Sequence, residues 1–420
     1  MNSFFRSSPD PSRRDGRDES SSVALHEAIM DSVSSARNSL PKEHHTHFDV
    51  LRQEIIDFSK AHNIPRESLA KPDALRDAAS KLSTKDLEHL ATLLERFEYL
   101  LKNREPMKEK FSEALEYAEK YYHIKRQYDS QVSLLEQVGI LKEGAITGID
   151  GKKYPIPTLE QIAQRIFERR GDLEIKHDQG FTKLLLVPFG MSLDSLCKIF
   201  KQSLLKYKES HPDFALRVIE PLWTWEGFQE SDIGDSPKLV YEPKSFDGNS
   251  HQGRTKIQIL EDQEDNQDSF LGWTVHLLQP SNPKDQDSSG FALIPRKGKG
   301  ITHGEKNLRP DLEAGQSPNE YLSTFQKAQD KPDSPYFQES GMNFEDWIMA
   351  FMLHLQETGK PLDNHKNDIE STSYLTGVFS IPYFWVPYAC WSRDRHQVSF
   401  SGVVARSPFG YLGVRSSVII

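Results

Sequence analysis

Cysteine is nearly absent: Cys197 and Cys390 are the only two in 420 residues. Two thiols over that length do not make the disulfide framework of a small secreted domain. Long apolar runs are missing as well. No stretch approaches the roughly 18 consecutive apolar residues of a membrane-spanning helix, so no membrane partner is expected. Residues 1–22 are rich in Ser, Arg, Asp and Pro and hold no apolar stretch, so no cleavable secretory leader is expected. Cytoplasmic residence is the resulting expectation, although a dedicated export system or a phage particle would leave no mark on such features. Positive charge is in deficit: 52 Lys and Arg against 62 Asp and Glu give a net charge of −10 and a pI near 5.9. The chain lacks the overall electrostatic footprint of a phosphate-backbone binder, and nucleic acid is not an expected partner. Hydrophobic residues make up 36% and mean hydropathy is −0.63, so part of the chain is expected to be exposed or disordered.

What is present divides along the chain. The length allows two or three domains with a substantial core. Residues 1–21 read as a disordered tail, and residues 22–137 as a helical bundle or coiled-coil-like scaffold. Phe48, Leu51, Ile55 and Phe58 step by three and four, as do Leu87, Leu90, Leu94, Phe97 and Leu101. Ala118, Tyr121, Tyr128, Val132 and Leu135 resume the pattern after Pro106. Each stripe makes one apolar face with charge opposite. Such steps suit antiparallel helices, and homo-oligomerisation through them is an expectation.

Residues 138–175 read as a linker: a hairpin about Asp150-Gly151, then a helix from Thr158 with Leu159, Ile162, Ile166 and Phe167 inward. From 176 to 420 the texture is mixed. Lys183-Leu-Leu-Leu-Val-Pro188 predicts a buried strand, followed by a helix with Leu193, Leu196, Cys197, Phe200, Leu204 and Tyr207 on one face. Further strands are predicted at 223–225, 238–241, 272–278 and 291–294, and helices at 318–329 and 343–358. Polar, turn-rich segments are predicted at 228–237, 261–270 and 280–290. Asn343 with Asp346 three residues on resembles a capping box, ahead of Trp347, Ile348, Phe351, Met352 and Leu355. No internal repeat is visible.

Candidate chemistry is sparse. His44, His45 and His47 lack a Cys or carboxylate at zinc-like spacing and read as a solvated helix entry. Gly298-Lys-Gly300-Ile-Thr-His-Gly304-Glu-Lys306 departs from the Walker spacing and lacks its Lys-Ser or Lys-Thr, which favours a basic turn over a phosphate loop. Gly190-Met-Ser192 lacks the closing glycine of a nucleophile elbow, so Ser192 reads as a helix cap. Cys197, on an apolar face, reads as core. Glu261-Asp-Gln-Glu-Asp265 with Asp268 reads as an acidic loop, with a calcium site as the alternative. Trp223 and Trp225 alternate as in a strand and read as core rather than a ligand platform. An enzyme reading needs a deep pocket between the 183–207 unit and the C-terminal region, with His303 or His396 as base. No cofactor is implied.

The last fifty residues carry the most information. Val418-Ile419-Ile420 forms an apolar end that is expected to pair inside a sheet. The polar and aromatic stretch before it would then sit on loops carried by that sheet. Arg393, Asp394, Arg395 and His396, between Trp391 and Val398, cannot all pack inward, and Arg, Trp and Tyr dominate interface energetics.

Trp391, Ser392, Val398-Ser-Phe400, Gly402 and Gly413-Val414-Arg415 with its terminal apolar strand resemble the C-terminal portion of C-type-lectin-like proteins of the formylglycine-generating-enzyme kind. That group includes the variable proteins of diversity-generating retroelements. The resemblance implies that Gly413-Val414-Arg415 is structural. It also implies a ligand-facing surface made of Trp391, Ser392, Arg393, Asp394, Arg395, His396, Gln397, Ser399, Ser401, Arg406, Ser407, Phe409 and Tyr411. The oxidase members use a cysteine pair near their C-terminus, whereas this region has Cys390 alone, so oxidase chemistry is not implied. The asparagine-rich texture that adenine-directed mutagenesis often leaves is absent from 391–411. A wider layout, with Leu186-Val187-Pro188-Phe189-Gly190, Gly272-Trp273-Thr274-Val275 and the Trp347 helix, is similar to bacterial proteins of uncultivated, small-genome lineages over about residues 130–420 and brings no activity with it.

The combined expectation is an α+β chain: a helical N-terminal bundle followed by a mixed C-terminal domain of C-type-lectin-like type. It would bind a protein, small-molecule or glycan ligand through 391–411 without covalent catalysis. Arg393 and Arg395 would pair with carboxylate or phosphate groups. Trp391, Phe409 and Tyr411 would supply apolar area, with Trp391 alternatively in the core. The rivals are the enzyme above and an assembly protein that oligomerises through its N-terminal helices.

Overall fold

The computed structural model describes residues 35–41, 44–62, 64–65, 82, 84–104, 111–234, 236–266, 269–365 and 371–420. The expected tail over 1–21, parts of the 22–137 scaffold and Asp268 lie outside the described residues. The chain divides into two compact units, Met1–Glu109 and Lys110–Ile420. In the first, two of the apolar stripes form the helices their spacing predicts, His45–Ala61 and Thr84–Asn103. Phe48, Leu51 and Ile55 meet Leu90, Leu94 and Phe97 in one buried cluster, with the Phe48 and Phe97 rings 5.1 Å apart.

The second unit mixes helices with sheets. Its strands in chain order begin with β1 (Ala145–Thr147), β2 (Lys153–Pro155), β3 (Lys183–Val187), β4 (Leu222–Thr224), β5 (Leu239–Tyr241) and β6 (Thr274–Leu278). Next come β7 (Thr302–His303), β8 (Arg309–Pro310), β9 (Glu339–Gly341), β10 (Asn364–His365) and β11 (Thr372–Tyr374). The last are β12 (Val378–Ser380), β13 (Trp385–Ser392), β14 (Gln397–Val404), β15 (Leu412–Val414) and β16 (Ser416–Ile419). A four-stranded antiparallel sheet runs β3-β6-β16-β9, so the final apolar strand pairs on both edges. An eight-stranded sheet runs β15-β11-β13-β12-β5, with β10 and β14 also on β13 and β4 on β14. The Phe344–Thr358 helix is apolar on nearly every side and accordingly buried all round, from Phe344 to Leu355. It shares one core with β3 and β6, and its Phe344 and Trp347 rings lie 5.2 and 5.5 Å from Phe400 of β14.

Three expectations need correcting. The helices Phe111–Tyr122 and Ile124–Val138 belong to the second unit rather than to the N-terminal scaffold, because their apolar face has its partner there. Ala118, Tyr122, Leu134 and Leu135 are buried in the same core as β3. The segment 291–294 is not a strand: only Phe291 bridges, to Pro280. The acidic stretch read as a loop forms the Lys256–Asp265 helix, started by a capping box of Thr255 and Gln258.

Candidate functional site

The proposed surface is built on the β13–β14 hairpin. Its alternation is regular: Ala389, Trp391, Val398 and Phe400 turn into the core, and Tyr388, Cys390, Ser399 and Ser401 lie on the opposite face. Trp391 is therefore core, 3% exposed and packed on Phe214 with ring centroids 5.3 Å apart. Gln397 is fully buried and its Oε1 accepts from Arg217 Nη1 at 3.2 Å, and Ser399 is buried as well. Gln397 and Ser399 cannot face a ligand, because both are covered, and Trp391 belongs to the core rather than to an exposed face. This corrects the expected surface.

The remaining residues do not form one patch either. The hairpin tip carries half-buried Ser392 and Arg393 and exposed Asp394, Arg395 and His396. His396 takes a left-handed φ of 52°, and its carbonyl accepts from Arg217 N at 2.7 Å. From Ser392↔Gln397 to Trp385↔Val404 the pairing covers seven steps, ~23 Å at about 3.3 Å per residue. Exposed Arg406 and half-buried Ser407 follow that far end, and the Ser407 carbonyl accepts from Tyr374 Oη. Ser401 stands opposite Tyr388 in the strand pair, on the outer sheet face. Phe409 and Tyr411 pack in a separate small core with Tyr374 and Leu412, and Tyr411 leans on His365 at 4.9 Å.

What the tip does build is a cleft of 650 Å³. Trp391, Arg393, Asp394 and His396 line one side, and Tyr207, His211, Phe214 and Pro361 the other. Tyr207 and His211 stack at 4.0 Å with 10° between their planes, and Phe214 meets Tyr207 edge-on at 5.1 Å. Arg393 Nε donates to Asn364 Oδ1 at 2.5 Å, which fixes the guanidinium beside that aromatic wall. Sequence reasoning placed Tyr207 on a core face and singled out neither His211 nor Phe214, because they precede the hairpin by nearly two hundred residues. A further cavity, of 510 Å³, is lined by Thr274, His276, Asp346 and Thr376, which sequence patterns did not bring together.

The other candidates have structural employment. Ser192 accepts from Ser195 N and caps the Leu193–Ser210 helix, and burial pushes the Cys197 thiol up. In the 298–306 loop the amide cradles are filled from within. Glu313 accepts from Gly298 N and Gly300 N, and Asp178 accepts from the amides of Glu305, Lys306 and Asn307. Burial acts to raise the Asp178 carboxyl, but those three amides outweigh it and hold it low. His303 Nε2 lies 2.8 Å from Asp311 Oδ1. His45 Nε2 contacts the Leu40 carbonyl at 3.1 Å, and the side chain of His47 lies outside the described residues. On the acidic helix, Asp262 pairs with Arg254 and Glu264 with Lys152. Among the described residues no three His, Cys, Asp or Glu side chains gather to hold a metal ion, and no helix is long and apolar enough to cross a membrane. Trp225 packs on Tyr383 and Trp385 at 4.4 and 4.5 Å.

The Gly413-Val414-Arg415 stretch is tied in from both sides. A Cβ on Gly413 would meet Ile294 Cγ2 at 2.5 Å, so the position requires glycine for close approach. Arg415 Nη2 donates to Asp363 Oδ1 at 2.6 Å, and Asp363 Oδ2 accepts from Trp347 Nε1 at 2.7 Å. Comparisons with protein-family models, with curated proteins and with solved structures each find no match.

Proposed function

We propose that this chain is a recognition protein whose C-terminal region is a C-type-lectin-like domain taking its ligand in the cleft at the β13–β14 tip. The observation that carries the reading is the pairing, in one 650 Å³ cleft, of a wall of Tyr207, His211 and Phe214 with Arg393, Asp394 and His396 opposite. Volumes of ~300–1,000 Å³ with apolar walls and a few polar groups characterise small-molecule sites. The fitting ligand carries a flat ring or sugar face for the wall and a carboxylate for Arg393, which its Asn364 contact already orients. The lectin-like part of the reading is supported by the close packing of Gly413, the Arg415–Asp363 pair and the doubly paired β16.

The test is a screen of ring-bearing carboxylates and acidic sugars by ligand-observed NMR on the full chain. Binders should lose at least tenfold in affinity in Arg393→Ala and in Phe214→Ala, with Arg393→Ala melting at nearly the wild-type temperature. Binders indifferent to both substitutions would place recognition elsewhere and sink the proposal. A role as a diversified variable protein would vary exposed Asp394, Arg395, His396 and Arg406 and spare buried Trp391, Gln397 and Ser399. Sequencing the 391–415 coding segment across related cells checks this; substitutions concentrated at the buried positions would count against it.

A further inference from the structure

The 510 Å³ cavity shares no lining residue with the hairpin-tip cleft. Its polar wall is made by Thr274 and His276 of β6, Asn343 and Asp346 at the start of the Phe344–Thr358 helix, and Thr376. His276, Asp346 and Thr376 are each 2% exposed. Buried polar groups are nearly always hydrogen-bonded. Here Thr274 Oγ1, His276 Nε2, Asp346 Oδ1 and Thr376 Oγ1 all lack a hydrogen-bond partner among the described residues, and all four side chains belong to the lining of this one cavity. Asp346 spends its other oxygen, Oδ2, on the Asn343 amide at 2.9 Å. His276 spends Nδ1 on Ser417 Oγ at 3.0 Å, and its Nε2 stands 3.1 Å from Asp346 Oδ1 without hydrogen-bond alignment. Backbone geometry preserves the arrangement: a Cβ on Gly341 would fall 1.8 Å from Thr376 Oγ1.

We propose that this cavity is a second ligand site, for a small primary amine on an apolar stem. An ammonium supplies three N–H donors, which answer the open acceptors of Asp346, Thr274 and Thr376. Of the other carboxylates in the lining, Glu339 is paired with Arg309 and Lys176, and Glu242 with Arg254. Among the described residues Asp346 has His276 alone as an ionic partner, and exposed Asp330 adds negative charge that exposed Lys244 partly offsets. A ligand carboxylate would meet Asp346, itself 2% exposed, where like charges repel. Phe189, Tyr241, Leu322 and Phe325 supply an apolar and aromatic wall for the stem.

The experiment is isothermal titration of the full chain with phenethylammonium, 2-phenylethanol and 3-phenylpropionate. Phenethylammonium should bind saturably and at least tenfold more tightly than either matched probe. Leu322→Trp, which fills the cavity from a half-buried position without touching Asp346, should abolish that binding, and Asp346→Asn should weaken it at least tenfold. Arg393→Ala should leave it unchanged, which separates this site from the hairpin-tip cleft. Should Asp346→Asn fail to fold, because Asp346 also caps its helix, Leu322→Trp decides alone. Absence of saturable binding by wild type, equal binding by Leu322→Trp, or preference for 3-phenylpropionate would each leave a water-filled cavity only and overturn the proposal.

Discussion

Single residues carry more ionic chemistry inside this unit than any pattern announces. Lys256 has no exposed surface and donates to Asp232 Oδ2 at 2.5 Å, Glu345 Oε1 at 2.6 Å and the Met191 carbonyl at 2.7 Å. Two carboxylates on one ammonium leave a buried negative charge. Burial, reinforced by Asp232, pushes the Glu345 carboxyl up against the pull of Lys256. Lys256→Met would leave both carboxylates without their cation, and should cost about 3–5 kcal/mol in urea unfolding. A loss below ~1 kcal/mol would mean the network contributes little. His354 offers a prediction with a definite sign. Burial first, then Arg415 and Lys183, lowers its pKa to about 3, and its Nδ1 accepts from Phe291 N at 3.0 Å. A depressed folded-state pKa means that its stabilising contribution is complete above the unfolded value of about 6.5 and drains away as pH falls toward the folded value. Between pH 6.5 and 4.5 the wild type should lose more stability than His354→Gln, and the His354 ring resonances should not titrate in that window. A ring that titrates near pH 6 would contradict the assignment.

At the scale of elements, the most instructive case is how β3 is finished. β3 is an edge strand, and an open edge leaves backbone groups that seek partners. The Ile124–Val138 helix supplies them from two glutamines one turn apart. Gln127 Oε1 accepts from Leu184 N at 2.8 Å and its Nε2 donates to the Thr182 carbonyl at 3.1 Å. Gln131 repeats the pattern at Leu186 N and the Leu184 carbonyl, at 2.8 and 2.9 Å. Gln131→Leu keeps the size but strands one buried amide and one buried carbonyl. The substitution should cost about 1–3 kcal/mol per stranded group, and should speed amide exchange at Leu186; unchanged exchange there would show the edge to be covered by something else. Neither glutamine was legible as a partner, because each reads as an ordinary polar position on an amphipathic helix. What was legible had a local cause: the Lys183–Val187 run became β3, Asn343 with Asp346 became a real capping box, and the apolar end became β16. The Lys256–Asp265 helix was missed because its apolar residues are few, although Thr255 with Gln258 is a start signal. The site was legible only in part. Tip charges announced exposure correctly, but the inward turn of Trp391 depends on strand register, and the burial of Gln397 under Arg217 and the aromatic wall depend on tertiary packing.

For the whole molecule, where the mixed unit begins decides which piece of chain can fold. Periodicity places the change of texture near 138, since helical stripes run up to Val138. Packing places it at Lys110, because stripes of equal amphipathicity find different partners. Ala118, Tyr122, Ile124, Leu134 and Leu135 are all nearly or fully buried in the core that includes β3 and the Phe344–Thr358 helix. Tyr122 also donates to the Leu173 carbonyl, and Gln127 and Gln131 close the β3 edge. A fragment of residues 110–420 should therefore unfold in one cooperative transition, with dispersed amide resonances. A fragment of residues 138–420 loses five core side chains and the four hydrogen bonds that the two glutamines make to residues 182–186, and exposes the apolar surface they covered. At ~1.5–3 kcal/mol per large buried apolar side chain, that loss is comparable with the marginal stability of a domain, ~5–15 kcal/mol. The shorter fragment should aggregate or show collapsed, poorly dispersed spectra at concentrations where the longer one remains monodisperse. Equal cooperativity and equal melting temperature for the two fragments would mean that residues 110–137 are an appendage, and would return the boundary to the position that periodicity alone suggests.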